Sequence, residues 1–191
     1  YAAGVRKNDV VIFCMVNMPE TVYSLYALNK LGAVVNLVDL RTNEQQMQTY
    51  VQECNAQYVL TVDFAYPVIE KALRGSHVKK KIVVSPGESL RGIKKAAYSI
   101  KTFGNNVDKH VLSWKNFVRL GKDGQAKTAK YEKEKCFIIA HTGGTTGIPK
   151  GVMLSDDNIN SVAHGYQYLG IPFKRQHKYF NDLCHIIICW M

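Results

Sequence analysis

Cys136-Phe137-Ile138-Ile139-Ala140 runs into His141-Thr142-Gly143-Gly144-Thr145-Thr146-Gly147-Ile148-Pro149-Lys150-Gly151, and Val152-Met153-Leu154-Ser155 follows. An apolar strand, a glycine-rich loop and a short second strand are the simplest reading. Four glycines, three threonines, a proline and a lysine stand within residues 142–151. Ordering such a loop is costly, because each glycine gives up about 0.5–1 kcal/mol relative to alanine in a regular element. A polyphosphate would offset that cost. Glycines 143, 144, 147 and 151 are expected to reach positive φ and turn successive N–H groups inward, a nest that binds anions without a side chain. Thr142, Thr145 and Thr146 add hydroxyl donors, Lys150 adds a mobile positive charge, and Pro149 stiffens the exit. Each hydrogen bond to a charged phosphate contributes about 1.5–3 kcal/mol. The loop is not of the Walker type. That pattern needs Gly-Lys-Ser/Thr opening a helix, whereas here Pro149 precedes Lys150, Gly151 follows it, and two strands flank the whole.

Upstream, strands and helices alternate. Val10 to Val16 is a continuous apolar run, as expected of a strand covered on both faces. Asn17 is placed to cap the next helix, with Pro19 in its first turn. Val22, Leu25 and Tyr26 share one face of that helix, and Gly32 is placed to end it. Ala33 to Val38 reads as a strand. Thr42-Asn43-Glu44-Gln45 reads as a capping box, and Met47, Tyr50, Val51 and Cys54 then recur at amphipathic helical spacing. Tyr58 to Val62 is a strand, a short helix follows Pro67, and Ile82 to Val84 is a further strand. Repeated strand–helix–strand units imply an α/β fold, a mostly parallel sheet flanked by helices. Between about 85 and 135 the pattern weakens into polar, Gly- and Lys-rich sequence, with one helix expected near Trp114 to Leu120. Downstream of the glycine loop, Ser155 is a good N-cap, with Asp156 and Asp157 placed to complement the dipole of a helix that runs to about Tyr168. The chain thus divides into a βα-alternating part (1–84), a basic loop-rich connector (85–135), and a part holding the loop, its strand pair and the next helix (136–191).

Composition narrows the function classes. Hydrophobic residues make up 47% and charged residues 21% of 191, which excludes a disordered chain. No apolar run approaches the length of a membrane span, and no secretory signal opens the sequence. The chain begins on Tyr1 rather than methionine, which reads as a piece of something longer. Five cysteines, Cys14, Cys54, Cys136, Cys184 and Cys189, are odd in number and sit mostly in apolar segments. They read as buried reduced thiols of a cytoplasmic protein. Cys184, His185 and Cys189 lack a second ligand pair, so no metal site is expected. The net charge of +10 is uneven: residues 71–135 hold 17 Lys/Arg against 5 Asp/Glu. Without an RNA- or DNA-binding motif this excess reads as a solvated basic face. It leaves peripheral contact with anionic ligands or a membrane surface open and gives no reason to expect nucleic acid.

The run Thr142 to Val152 resembles the signature phosphate loop of the AMP-forming, adenylate-forming enzymes. That superfamily holds acyl-CoA synthetases, adenylation domains of nonribosomal peptide synthetases and firefly luciferase. Gly4 to Val11, Asn17-Met18-Pro19-Glu20 and Leu31 to Asn36 are similar to its N-terminal subdomain in the same order. Leu154-Ser155-Asp156-Asp157-Asn158 matches its strand-to-helix step. The resemblance implies part of the large N-terminal domain of such an enzyme. It also implies a two-step reaction: a carboxylate, here a fatty or other aliphatic acid, attacks the α-phosphate of ATP, and coenzyme A then takes the acyl group from the adenylate. Carried over, Thr142, Gly143, Gly144, Thr145, Thr146 and Gly147 wrap the β- and γ-phosphates and Lys150 is the catalytic cation. Mg2+ accompanies the nucleotide, with no residue of this chain assigned to it.

Departures from the pattern set the alternatives. The family continues into an aromatic-Gly-x-Thr-Glu segment, a ribose-binding Asp and a C-terminal domain with a further lysine, and none of these occurs in the 191 residues. After Leu183 the sequence Cys184 to Met191 leaves the pattern, as a truncated or frame-shifted tail would, although His185 could stand where some members place a histidine near the acyl pocket. The isolated chain is therefore expected to be inactive, and its incomplete core and open sheet edge favour self-association. An amino-acid adenylation domain and a non-catalytic nucleotide-binding relic are the other readings.

Overall fold

A computed structural model describes residues 1–89, 111–122, 124–143, 149–165 and 168. Its centre is a seven-stranded sheet in the order β5-β4-β3-β1-β2-β6-β7, formed by β1 (Val10–Cys14), β2 (Val34–Leu37), β3 (Tyr58–Val62), β4 (Lys80–Val84), β5 (Val111–Ser113), β6 (Cys136–His141) and β7 (Gly151–Ser155). Every neighbouring pair is parallel except β6 and β7, which run antiparallel. The helices are α1 (Pro19–Leu31), α2 (Glu44–Glu53), α3 (Tyr66–Ala72), α4 (Trp114–Leu120) and α5 (Asp156–Gly165), with a 3-10 turn at Pro86–Ser89. The expected α/β class, with a mostly parallel sheet, is the class observed.

The apolar runs explain the sheet. All five residues of β3 are buried, and Ile12, Val35, Val59, Val62 and Val84 have no exposed surface. Such strands satisfy their backbone groups only between other strands. The expected strands at 10–16 and 33–38 are shorter in the structure, because Asn17 and Asp39 begin the turns beyond them.

Local capping differs from the sequence reading in two places. Asn17 does not cap α1: the N-cap is Met18, whose side chain makes no capping bond, and its carbonyl accepts from the Thr21 N–H at 3.0 Å. The rigid φ of Pro19 sets the first turn instead. The α2 cap is Asn43 rather than Thr42, and its side-chain oxygen accepts from the Gln46 N–H at 2.9 Å. The buried face of α1 also differs from the expected one. Thr21, Ser24, Leu25, Leu28 and Leu31 face the sheet, while Val22 and Tyr26 are exposed. Ser155 does cap α5: its hydroxyl accepts from the Asn158 N–H at 3.2 Å, and the Asn158 side chain accepts from the Ser155 N–H at 2.8 Å.

The connector is more structured than its composition suggests. Besides the expected helix α4 it contributes strand β5, which pairs with β4. Its last residues fasten to the end of α1. The Ala129 N–H donates to the Lys30 carbonyl at 2.7 Å, Lys135 Nζ donates to the Gly32 carbonyl at 2.9 Å, and Lys7 pairs with Glu132.

Gly32 is the point where these meet. It ends α1 in the left-handed region at φ +69°, and an added Cβ would lie 2.8 Å from Ala129 Cβ and 2.9 Å from Lys135 Nζ. Gly32→Ala is expected to destabilise the protein by about 1–3 kcal/mol, the cost of a non-glycine residue in that region. The measurement is urea unfolding, and an unchanged midpoint would contradict this account of Gly32.

Cys14, Cys54 and Cys136 are free thiols. Burial pushes the Cys14 thiol up to about 12, so it stays protonated and unreactive. Cys184, His185, Cys189 and the rest of 169–191 lie outside the described residues. Among those described, no helix is long and apolar enough to cross a membrane.

Candidate functional site

The glycine loop leaves the sheet at the carboxyl ends of β1, β2 and β6, the place where open parallel sheets bind ligands. A cavity of about 560 Å³ opens there. Met15 and Asn17 after β1, Asp39 and Arg41 after β2, and Thr142 and Pro149 at the two ends of the loop line part of its wall. A second cavity of about 600 Å³ lies between α1 and α5, walled by Val22, Tyr26, Ile159 and Val162, and touches no described residue of the loop.

The two ends of the loop are clasped together. Beyond the paired residues His141 and Gly151, the Thr142 N–H donates to the Lys150 carbonyl at 2.9 Å, and Thr142 Oγ1 accepts from the Lys150 N–H at 3.1 Å. The Thr142 oxygen is thus spent partly on closing the mouth, while its own proton remains available for donation. Lys150 is held in this clasp through its backbone alone. It is exposed, and among the described residues no carboxylate pairs with it. Gly143 sits just inside the mouth, and no described atom lies within 4 Å of where a Cβ would stand on it.

Of the expected phosphate-binding residues, the structure brings together Thr142, Gly143 and Lys150. Gly144, Thr145, Thr146 and Gly147 lie outside the described residues. The expectation of positive φ fails at two glycines: neither Gly143 nor Gly151 adopts it, and among the described glycines it occurs at Gly4, Gly32 and Gly75. Gly151 has a different reason to lack a side chain. A Cβ there would lie 3.0 Å from Ile139 Cγ2 and 3.6 Å from His141 Cε1. The glycine makes room for the side chains of the adjacent strand.

The electrostatics favour an anion. Asp39 would repel one, but Arg41 grips it with its backbone N–H at 2.7 Å, Nε at 2.9 Å and Nη2 at 2.6 Å. Those hydrogen bonds hold the Asp39 carboxyl below the usual carboxylate range. The pair is locally neutral, and no described carboxylate cancels the Lys150 charge at the mouth.

Sequence reasoning overlooked the residues beneath the mouth. His141 Nε2 lies 2.6 Å from Asn36 Oδ1, and its ring stacks on Tyr50 with centroids 3.8 Å apart at 22°. Asn36 is 1% exposed and donates through Nδ2 to Cys54 Sγ at 3.2 Å. The signal was present in the sequence: Asn36 is a polar residue inside a run otherwise read as an apolar strand, and His141 directly follows another.

A family model for AMP-binding enzymes matches residues 1–191. The chain is 23% identical over 179 residues to a long-chain-fatty-acid–CoA ligase of Haemophilus influenzae, covering 91% of this chain and 32% of that protein. It is 26% identical over 164 residues to a long-chain-fatty-acid–CoA ligase of Bacillus subtilis, covering 82% and 29%. Among solved structures it is similar to the luciferase-like enzyme from the nonluminescent Zophobas morio mealworm, with a TM-score of 0.66 at 21% identity, over 88% of this chain and 35% of that one. The chain spans about a third of the length of these relatives.

Proposed function

The chain belongs to the AMP-binding enzyme family, and from that premise we propose that it supplies the phosphate-binding part of an ATP-dependent acid–thiol ligase. Such an enzyme activates a carboxylic acid through an acyl-adenylate and passes the acyl group to coenzyme A. The observation that carries this reading is the loop mouth. A glycine-rich segment is clasped at Thr142 and Lys150, and the Lys150 ammonium is left unpaired among the described residues.

In this reading residues 142–147 wrap the β- and γ-phosphates, and Lys150 is the catalytic cation. Charge builds on the leaving pyrophosphate as the carboxylate attacks, and donors fixed in advance stabilise it without reorganising. A flexible lysine follows a phosphate as a compact point charge, which a rigid fork would do less well. Mg2+ bound with the nucleotide would neutralise further phosphate charge. None of these residues is a nucleophile or a general base; the chain's work is positioning and electrostatics. A fatty acid is the proposed substrate, supported by the names of the two ligases above. The proposed setting is the cytoplasm. The proposed units remain 1–84, 85–135 and 136–191, and the open edges of β5 and β7 are where further chain or a second copy would pair.

Pyrophosphate exchange tests the reading. The longer enzyme that carries this chain is expected to exchange labelled pyrophosphate into ATP only when a fatty acid is present, and exchange driven by amino acids instead would overturn the substrate class. The 191-residue chain alone is expected to show no exchange, because the sequence holds no aromatic-Gly-x-Thr-Glu segment and no second catalytic lysine domain. Acyl-CoA formation by this polypeptide would refute that.

A further inference from the structure

We propose that His141 is the positioning residue of the phosphate loop: braced in its neutral form between Asn36 and Tyr50, it holds the loop mouth closed, and charging the ring opens it. The proposal rests on the phosphate-loop reading above and deepens it.

His141 immediately precedes Thr142, so fixing its ring fixes the backbone from which the clasp to Lys150 is made. Two contacts fix that ring. Asn36, on β2, is buried and has its amide oriented by the bond from Nδ2 to Cys54 Sγ, which leaves Oδ1 facing His141. An acceptor at 2.6 Å requires that Nε2 carry the proton. Tyr50, on α2, covers one face of the ring. The ring thus ties β2 and α2 together at the base of the loop.

The remaining nitrogen makes the arrangement sensitive to charge. Nδ1 is buried and without a partner among the described residues. A bare acceptor is tolerable there, but a second proton would create a buried donor with nothing to receive it. The charged and titratable neighbours do not rescue it. On α2, Glu53 favours the charged ring, and the Tyr50 hydroxyl and Cys54 thiol are both shifted up by burial and stay neutral. After β2, Asp39 is taken by Arg41, and beside β7, Lys150 is itself a cation. Burial outweighs Glu53 and holds the His141 imidazole below the usual histidine range. The sign follows from linkage. A lowered native value means that the closed arrangement is fully present above the unfolded value, about 6.5, and is lost as pH falls through the native one.

The test uses the 191-residue chain. NMR follows the His141 imidazole and the exchange of the Thr142 and Lys150 amides, corrected for intrinsic pH dependence, from pH 8 to pH 5. Magnesium-ATP is titrated at each pH. The expected result is that clasp exchange rises about tenfold for each pH unit by which closure lowers the histidine pKa, with the midpoint of His141 itself. His141→Gln keeps an N–H toward Asn36 and cannot charge, so it should keep the clasp protected throughout. His141→Ala should expose it at every pH. Clasp protection that ignores the charge on His141 in the unsubstituted chain would overturn the proposal, whether or not either variant folds. If protection follows His141 but magnesium-ATP leaves both amides unmoved, the control of the mouth stands and the phosphate reading falls.

Discussion

Lys150→Ala in the longer enzyme is expected to slow adenylate formation by about 10²–10³-fold, the range seen when one preorganised donor to developing charge is removed. Binding of the acid should change little. The structure gives the reason for that split. Lys150 closes the loop through its backbone N–H and carbonyl, which alanine retains, so the mouth should survive the substitution. What disappears is an ammonium that no described carboxylate pairs with, and its contribution is greatest when negative charge accumulates on the departing pyrophosphate. Pre-steady-state adenylation and acid affinity, measured side by side, check the claim. Equal loss of both would mean that Lys150 binds substrate and transition state alike, or supports the fold, and would contradict the assigned role. Lys150→Arg should recover part of the rate, because charge returns without the same reach.

Ile12→Ala should cost about 2–5 kcal/mol of folding stability, as the removal of a fully buried aliphatic chain does when its surroundings cannot collapse. Ile12 lies in β1, hydrogen-bonded between β2 and β3, and has no exposed surface. Its neighbours in register are Asn36 and Val59, both themselves buried. Strands tied on both sides have little freedom to close a void. The midpoint of urea unfolding reads the loss directly, and a cost under about 1 kcal/mol would show that the sheet centre relaxes more than its packing suggests.

The fold was legible where the sequence carried long apolar runs bounded by turn residues. Val10 to Cys14, Tyr58 to Val62 and Cys136 to Ala140 could be read directly, because each run is dominated by apolar and β-branched residues, with Thr61 buried among them. Strand β5 was not legible: Val111-Leu112-Ser113 is too short for a pattern and is held by pairing with β4, a contact distant in sequence. The face of α1 misled for a related reason. Val22 and Tyr26 look like core residues, but the sheet selects Thr21, Ser24 and Leu28, and only the packed sheet reveals that choice. The N-cap at Met18 escaped because proline geometry can start a helix without a capping side chain.

In the site, the loop announced itself through composition, and Lys150 through its place between proline and glycine. The clasp could not be read, since a threonine accepting from a backbone N–H eight residues away depends on strand register. Nor could the reason for Gly151. A glycine that spares a neighbouring isoleucine looks, in sequence, like one that needs an unusual φ. Asn36 and His141 are 105 residues apart, and each alone reads as an ordinary polar interruption.

That same separation has a consequence for how the molecule assembles. Strands β1 to β4 follow one another closely in the chain and occupy adjacent places in the sheet. They pair through short crossovers, whose closure entropy is small. Strand β6 must instead return from the far edge beyond β5 to lie against β2, so its docking closes the longest loop in the sheet and belongs to the slow part of folding. During synthesis, the platform of β1 to β4 is complete before the glycine-rich segment has left the ribosome. Strand β6 meets a surface already shaped to receive it, and the order of translation protects the most glycine-rich stretch from pairing too early with the wrong edge.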